Sequence, residues 1–218
     1  MAGSEAEREI REAVVEKLRR DLPSARIIHE LNTCGSGSRR IDVAAVTKDT
    51  IYGVEIKSER DKLDRLKDQV KAFRACCHHV IVVAHRKFFK EEEQRDGGKA
   101  LWWNGGENIS AYRPGFLWCY PKPEQDLSAQ LYQWTLPPLS IRQPAARDIL
   151  GLLWADELTS VAARLRIGVG QRDNMETKMN LIAYNATGKE IAEAACAELR
   201  RRQFAEADAP IEMERNAA

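Results

Sequence analysis

The sequence has no apolar run long enough to cross a membrane and no excess of either charge. Its longest apolar stretches, such as Val80 to Ala84, are far shorter than the roughly 18 to 20 residues that a membrane helix needs. The chain does not begin with a basic segment followed by an apolar one, so no export signal is expected. A net charge of +1 excludes a uniformly basic nucleic-acid-binding surface. These absences predict a globular cytoplasmic protein that does not bind membranes.

Cysteine is also scarce, with five residues that lack the spacing of a disulfide framework. We therefore expect reduced thiols, since a chain of 218 residues that is 44% hydrophobic can stabilise its own core. Cys76-Cys77-His78-His79 has the residue types of a zinc site, but adjacent residues do not readily converge on one tetrahedral ion, so no zinc is expected. Gly35 to Ser38 lacks the following Lys-Ser/Thr pair of a phosphate-binding loop, so no nucleotide cofactor is expected.

The order of periodic segments predicts an α/β fold. The patterns favour a helix over Ser4–Arg20, strands over Ala25–Asn32, Arg40–Thr47 and Thr50–Ser58, a helix over Lys62–Cys76 and a strand over Val80–Ala84. This α-β-β-β-α-β order indicates a mixed sheet flanked by helices, with a further strand over Phe116–Tyr120. We place this domain at residues 1–138, because Pro137-Pro138 marks a boundary. A small helical module over 139–205 and a flexible tail over 206–218 follow.

A predicted hairpin between the second and third strands is the most informative feature. If its turn is centred on Lys48-Asp49, opposed residue numbers sum to 97 and Asp42 faces Glu55. Strand side chains alternate, so Glu55, Lys57 and Asp42 share one face, and the two acidic Cβ atoms lie roughly 5 Å apart. Two carboxylates this close repel each other unless they share a cation or a proton. The pattern predicts a Mg²⁺ site, at which Mn²⁺ substitutes, with Lys57 beside the water that attacks a phosphodiester.

Asp42, a short hairpin and Val-Glu55-Ile-Lys57 resemble the signature of the PD-(D/E)XK nuclease superfamily. Residues 5–84 are most similar to its small stand-alone bacterial and phage members, including MmcB-like DNA repair proteins. This resemblance implies a restriction-endonuclease-like core. It also implies that Asp42, Glu55 and the Ile56 carbonyl bind one or two Mg²⁺ ions and that Lys57 acts on water.

Three further polar residues are candidates for the same site. Many members of the superfamily carry a glutamate on the first helix, and Glu7 is the one that aligns with that helix's apolar face. Glu7 is equally well explained as a capping-box partner of Ser4. Gln69 with Phe73 resembles the Gln-x-x-x-Tyr element of RecB-like nucleases without its hydroxyl, or is a glutamine that happens to lie on an amphipathic helix. Glu30 either approaches the metal or is an ordinary edge carboxylate.

The basic residues predict contacts with DNA. Residues 57–90 contain ten Lys or Arg and four Asp or Glu, which is a local charge of +6. Arg39 and Arg40 follow the Gly-Ser loop and are placed to meet a backbone phosphate. Ser58 and Arg65 complete the expected DNA contacts. The alternative for such a charged run is a solvated helix face that keeps the protein soluble.

The expected function is that of a Mg²⁺-dependent deoxyribonuclease that hydrolyses DNA phosphodiester bonds in DNA repair or phage-related DNA processing. The alternative is a protein of the same fold that binds DNA or a repair partner with feeble or no hydrolysis. A homodimer would let two copies cut both strands. The C-terminal helical patterns, over Pro144–Leu165, Met175–Tyr184 and Lys189–Gln203, resemble SAP-type DNA-binding units. A packing appendage or a dimerisation module is the alternative for them.

Overall fold

The computed structural model describes residues 4–33, 39–93, 95, 99–105, 116–123, 132–138 and 143–211. The predicted Gly-Ser loop and the last seven residues of the predicted tail lie outside these ranges. The helices are α1 (Glu5–Asp21), α2 (Leu66–Cys76), α3 (Ala146–Leu150), α4 (Ala155–Arg164), α5 (Met175–Asn185) and α6 (Gly188–Arg201). The strands are β1 (Arg26–Thr33), β2 (Arg39–Val46), β3 (Ile51–Lys57), β4 (His79–His85), β5 (Phe89–Glu93), β6 (Lys99–Trp103) and β7 (Leu117–Tyr120).

Five of the strands form one mixed sheet in the order β1-β2-β3-β4-β7. The pairs β1–β2 and β2–β3 are antiparallel, whereas the pairs β3–β4 and β4–β7 are parallel. The predicted α/β class and mixed sheet flanked by helices are therefore confirmed. A separate hairpin of β5 and β6 was not predicted, because its first strand buries only Phe89 and continues with four exposed residues. Such a strand lacks the apolar periodicity on which the prediction depends.

The sheet is covered on both faces. On one face, α1 places Ile10, Val14 and Leu18 against alternate residues of the strands, among them Ile27 and Val43. The other face packs against α2 and the C-terminal helices in a second hydrophobic cluster. Because side chains of a strand alternate between faces, strands buried on both sides have nearly continuous apolar sequences. This explains the uninterrupted burial of β3.

The C-terminal helices share their core with the sheet. Leu158 of α4 and Leu199 of α6 belong to the same cluster as Ile41 of β2. The helical pattern predicted over Pro144–Leu165 is divided into α3 and α4, since α3 ends before Gly151, a residue of low helix propensity that forms its C-cap. Four residues later α4 begins with its own capping interactions.

The described part of the predicted tail lies along β1. Ala207 forms a bridge with Ile28, and the Asp208 N–H donates to the Ile27 carbonyl at 2.9 Å. Buried Arg26 of β1 donates to three carbonyl oxygens at the end of α6, those of Leu199, Arg200 and Arg202. Since β1 is an edge strand, its outer backbone groups need partners. The segment after α6 supplies some of them.

The described part of the chain contains no helix long and apolar enough to cross a membrane. Its four cysteines are all free, as predicted for reduced thiols. The Cys-Cys-His-His run serves packing and backbone contacts: the His78 Nδ1 accepts from the Ile51 N–H at 3.0 Å, and His79 stacks on Tyr52. Cys77 lies so close to β3 that a Cβ atom on Gly53 would be 2.9 Å from its sulfur, which explains a glycine within a buried strand.

Candidate active site

A polar cleft of about 490 Å³ opens between β1, β2, β3 and the two helices α1 and α2. Every residue predicted for the site lines it except Ser58: Glu7, Arg39, Arg40, Asp42, Glu55, Ile56, Lys57, Arg65 and Gln69. Glu30, for which an approach to the metal was one of two interpretations, also lines the cleft, as do Asn32 and Asp61, which were not assigned to the site. The fold therefore brings together side chains that are up to 62 positions apart in sequence, from residue 7 to residue 69.

The predicted register between β2 and β3 holds as far as Val43, the neighbour of Asp42, and Asp42 lines the cleft. Four pairs of β2 and β3, from Val46 with Ile51 to Val43 with Val54, have numbers that sum to 97. The ladder stops there, so Asp42 and Glu55 do not form the direct pair that the register predicts. The Asp42 carboxylate instead accepts a hydrogen bond from the Ile56 N–H at 2.7 Å. A side-chain acceptor thus replaces the next backbone contact between the strands.

Glu55 is 1% exposed, and its two oxygens have different surroundings. Oε1 accepts from the Lys57 ammonium at 2.6 Å, whereas Oε2 is buried without a hydrogen-bond partner in the described chain. Burial raises the pKa of Glu55, although Lys57 opposes that shift. Burial, followed by the charge of Glu55, also raises the pKa of Asp42 well above its ordinary value. Burial is the main cause of both shifts, which a side-chain hydrogen bond with Gln69 opposes at Glu55 and the charge of Arg11 opposes at Asp42.

Lys57 is held by two elements. Its ammonium, buried beside Glu55, also donates to the Gln69 Oε1 of α2 at 3.1 Å. Gln69 thus lies near the site, as its resemblance to the RecB-like element implies. Phe73, one turn further along α2, is fully buried in the core, where a phenylalanine needs no partner for a hydroxyl.

The Glu7 carboxylate contacts a residue that sequence analysis missed. Ser4 caps α1 by accepting from the Glu7 N–H at 3.3 Å, but the Glu7 side chain accepts from the Arg11 guanidinium at 2.7 Å. Arg11 is 5% exposed and also donates to Glu30 at 2.8 Å and to the Asp42 backbone carbonyl at 2.5 Å. The signal available for Arg11 was its position four residues after Glu7 on one helix face.

Glu30 reaches this group through an unusual backbone conformation. Its φ of 55° lies in the left-handed region, which non-glycine residues rarely adopt. The pairs on either side of it, His29 with Val43 and Leu31 with Ile41, are regular, whereas no pair joins Glu30 to Asp42. Asp42 therefore forms no backbone pair with Glu30 of β1 or with Glu55 of β3. Nothing in the sequence pattern indicates this.

The predicted DNA-contacting residues divide into two groups. Arg40 is 63% exposed and pairs with Glu30 at 2.7 Å, and Arg39 lies 3.4 Å from the Asp68 carboxylate. Ser58 is buried and donates through its N–H and its hydroxyl to Asp61 at 2.7 and 2.6 Å. Ser58 thus stabilises the turn after β3, while the arginines line the cleft.

Comparison with known proteins gives one similarity. Residues 1–95 match a family model described as Bacteriophage P4 protein cII. The matched segment runs from α1 through β5 and contains every residue that lines the cleft. No curated protein and no solved structure matches the chain.

Proposed function

We propose that this protein is a divalent-metal-dependent nuclease that hydrolyses DNA phosphodiester bonds on a restriction-endonuclease-like core. The carrying observation is the Glu55 Oε2, a buried carboxylate oxygen that has no hydrogen-bond partner in the described chain and belongs to a residue lining the cleft. Buried polar atoms nearly always have partners, and an exception calls for an explanation such as an absent ion. A cation between Glu55 and Asp42 supplies one.

The residues present fit Mg²⁺ or Mn²⁺. Hard divalent ions bind carboxylate and carbonyl oxygens, and Asp42, Glu55 and the Ile56 carbonyl are of this kind. Burial raises the pKa values of Asp42 and Glu55, and a nearby cation would favour the ionised form of both carboxylates. When bound, the ion would offset negative charge on the phosphoryl group and on the attacking oxygen.

Lys57 is suited to orient the water molecule that attacks the phosphodiester. An ammonium has three N–H donors, and Glu55 and Gln69 accept two of them. The third is available to orient a water molecule or to stabilise charge that develops on a phosphate oxygen. Gln69 acts as a positioning residue, because it fixes the amine without touching the substrate.

The mouth of the cleft supports a nucleic-acid substrate. Arg39, Arg40 and Arg65 line it and would contact backbone phosphates, which positions DNA without reading its sequence. The match of residues 1–95 to a phage family supports a role in phage-related DNA processing over one in general repair. A protein that binds DNA without cutting it is the second candidate, favoured by the Lys57–Glu55 ion pair, which engages one of the two Glu55 oxygens.

The test is a cleavage assay with the full chain on supercoiled and single-stranded DNA in Mg²⁺ or Mn²⁺. We expect cleavage that chelation stops, and that Asp42→Asn, Glu55→Gln and Lys57→Ala each slow it by about 10²-fold or more. Asp49→Asn and Lys48→Ala, in the hairpin turn outside the cleft, are the matched controls and retain the wild-type rate.

Each outcome decides between the candidates. Tight DNA binding without cleavage of any tested substrate supports the binding protein. Cleavage at one common rate by the wild type and all three cleft variants refutes the assignment of the site.

A further inference from the structure

Arg11 places a permanent positive charge inside the acidic part of the cleft. Its guanidinium donates to Glu7, to Glu30 and to the backbone carbonyl of Asp42. One carboxylate oxygen from each of Glu7, Glu30 and Asp42 lies within 4.8 Å of the other two. Three such oxygens could hold a metal ion, yet here a protein cation is bonded to two of these three carboxylates.

The guanidinium is well matched to this position. It offers five donors in a fixed fork, and it is desolvated more readily than an ammonium. Burial alone would lower the pKa of Arg11, but the hydrogen bond that it donates to Glu7 and the charges of Asp42, Glu30 and Glu7 outweigh this effect and raise that pKa. Arg11 therefore stays charged at every physiological pH.

Asp42 thus lies between two acidic positions that differ in how they are compensated. Toward β3 it neighbours Glu55, which has a buried oxygen without a partner. Toward β1 and α1 it neighbours Glu30 and Glu7: Arg11 pairs with both, and Arg40 pairs with the second oxygen of Glu30 from the exposed side. We infer that Arg11 takes the place of a second metal ion, so that the protein binds one divalent cation per chain, and that it positions Asp42 through the backbone carbonyl. The single-ion part of this inference rests on the proposed function.

The experiment counts Mn²⁺ ions bound per chain by electron paramagnetic resonance titration of the full-length protein. We expect one ion for the wild type, none for Glu55→Gln and two for Arg11→Gln, because removal of the guanidinium opens the position beside Glu7 and Glu30. Arg11→Lys keeps a cation at this position, so we expect it to bind one ion, like the wild type. The matched control is Arg8→Gln, an exposed arginine one turn earlier on α1, which also stays at one.

A count of two for the wild type, or an unchanged count for Arg11→Gln, overturns the inference. If Arg11→Gln does not fold, the number of ions bound by Glu7→Gln tests the inference instead. This variant binds one ion, like the wild type, if Arg11 is the cation beside Glu7. A fall from two ions in the wild type to one in Glu7→Gln would show that Glu7 is a metal ligand. If the wild type binds no ion and Arg11→Gln binds one, the role of Arg11 is supported. That result would count against the proposed metal site alone.

Discussion

The buried charges beneath the C-terminal helices and those in the cleft are compensated differently. Arg202 donates to both oxygens of Glu157 and to the Leu152 carbonyl, and its guanidinium lies 4.4 Å from the ring centroid of Trp154. Both Glu157 oxygens are therefore satisfied. Glu55 has one buried oxygen without a partner in the described chain. The comparison separates a carboxylate with both oxygens hydrogen-bonded from one with a buried oxygen that has no partner in the described chain, which we propose to be a metal ligand.

Breaking the ion pair between Arg202 and Glu157 should have the largest effect on stability. Arg202→Met leaves Glu157 buried and unpaired, so we expect the free energy of unfolding to fall by about 3–5 kcal/mol in urea titration. Lys189→Met removes an exposed cation of α6 and is the control. A loss below about 1 kcal/mol for Arg202→Met would show that the pair is not a stabilising element.

Binding of Mn²⁺ in the cleft should have the next largest effect on stability. Mn²⁺ at about 100 times its dissociation constant should add about 2.7 kcal/mol to the free energy of unfolding, seen as a higher Tm. Glu55→Gln should lose this gain. Arg202→Met should keep it, because distant sites act independently. An equal Tm shift in Glu55→Gln would place the ion elsewhere.

Neutralising a cleft carboxylate should stabilise the metal-free protein. Asp42→Asn removes a charge whose ionisation is opposed by burial, and the amide oxygen still accepts from the Ile56 N–H. We expect a gain of about 1 kcal/mol, or ~2–4 °C in Tm. This is the opposite sign to the loss expected for Arg202→Met. Destabilisation by Asp42→Asn in the absence of metal would mean that its charge serves the fold.

The pH dependence of stability should show a smaller effect, with the raised pKa of Asp42 as its cause. The folded protein holds a proton on Asp42 at pH values above 3.8, the ordinary pKa, where the unfolded chain has lost it. Stability without metal therefore falls as the pH rises from 3.8 toward the folded pKa, since the native state binds more protons in that range. Tm measured from about pH 4 to about pH 8 should decline less in Asp42→Asn than in the wild type. Parallel curves would argue against a raised pKa.

The sequence was sufficient to predict the parts of the site that depend on local periodicity. Alternation along two strands and a two-residue turn placed Asp42, Glu55 and Lys57 on one face, and the observed register agrees over four pairs. Gln69 was a candidate only through its resemblance to the Gln-x-x-x-Tyr element, and it lines the cleft. The helix that carries it begins at Leu66, four residues later than predicted.

Other features depend on contacts between distant segments, which periodicity does not encode. Arg11 has the sequence character of a solvated helix residue, yet strands β1 and β2 bury it. The left-handed conformation of Glu30 occurs in a strand pattern that contains no glycine. The bridge between Ala207 and Ile28 joins residues that are 179 positions apart, so composition alone suggested a loose tail.

The most direct test of the central claim is anomalous X-ray scattering from crystals of the wild-type protein soaked in Mn²⁺. We predict one peak in the cleft, in contact with both Asp42 and Glu55, with Arg11 still bonded to Glu7 and Glu30. A cleft without a peak, in crystals whose Lys57–Glu55 ion pair is unchanged and whose Mn²⁺ lies elsewhere, would contradict the account.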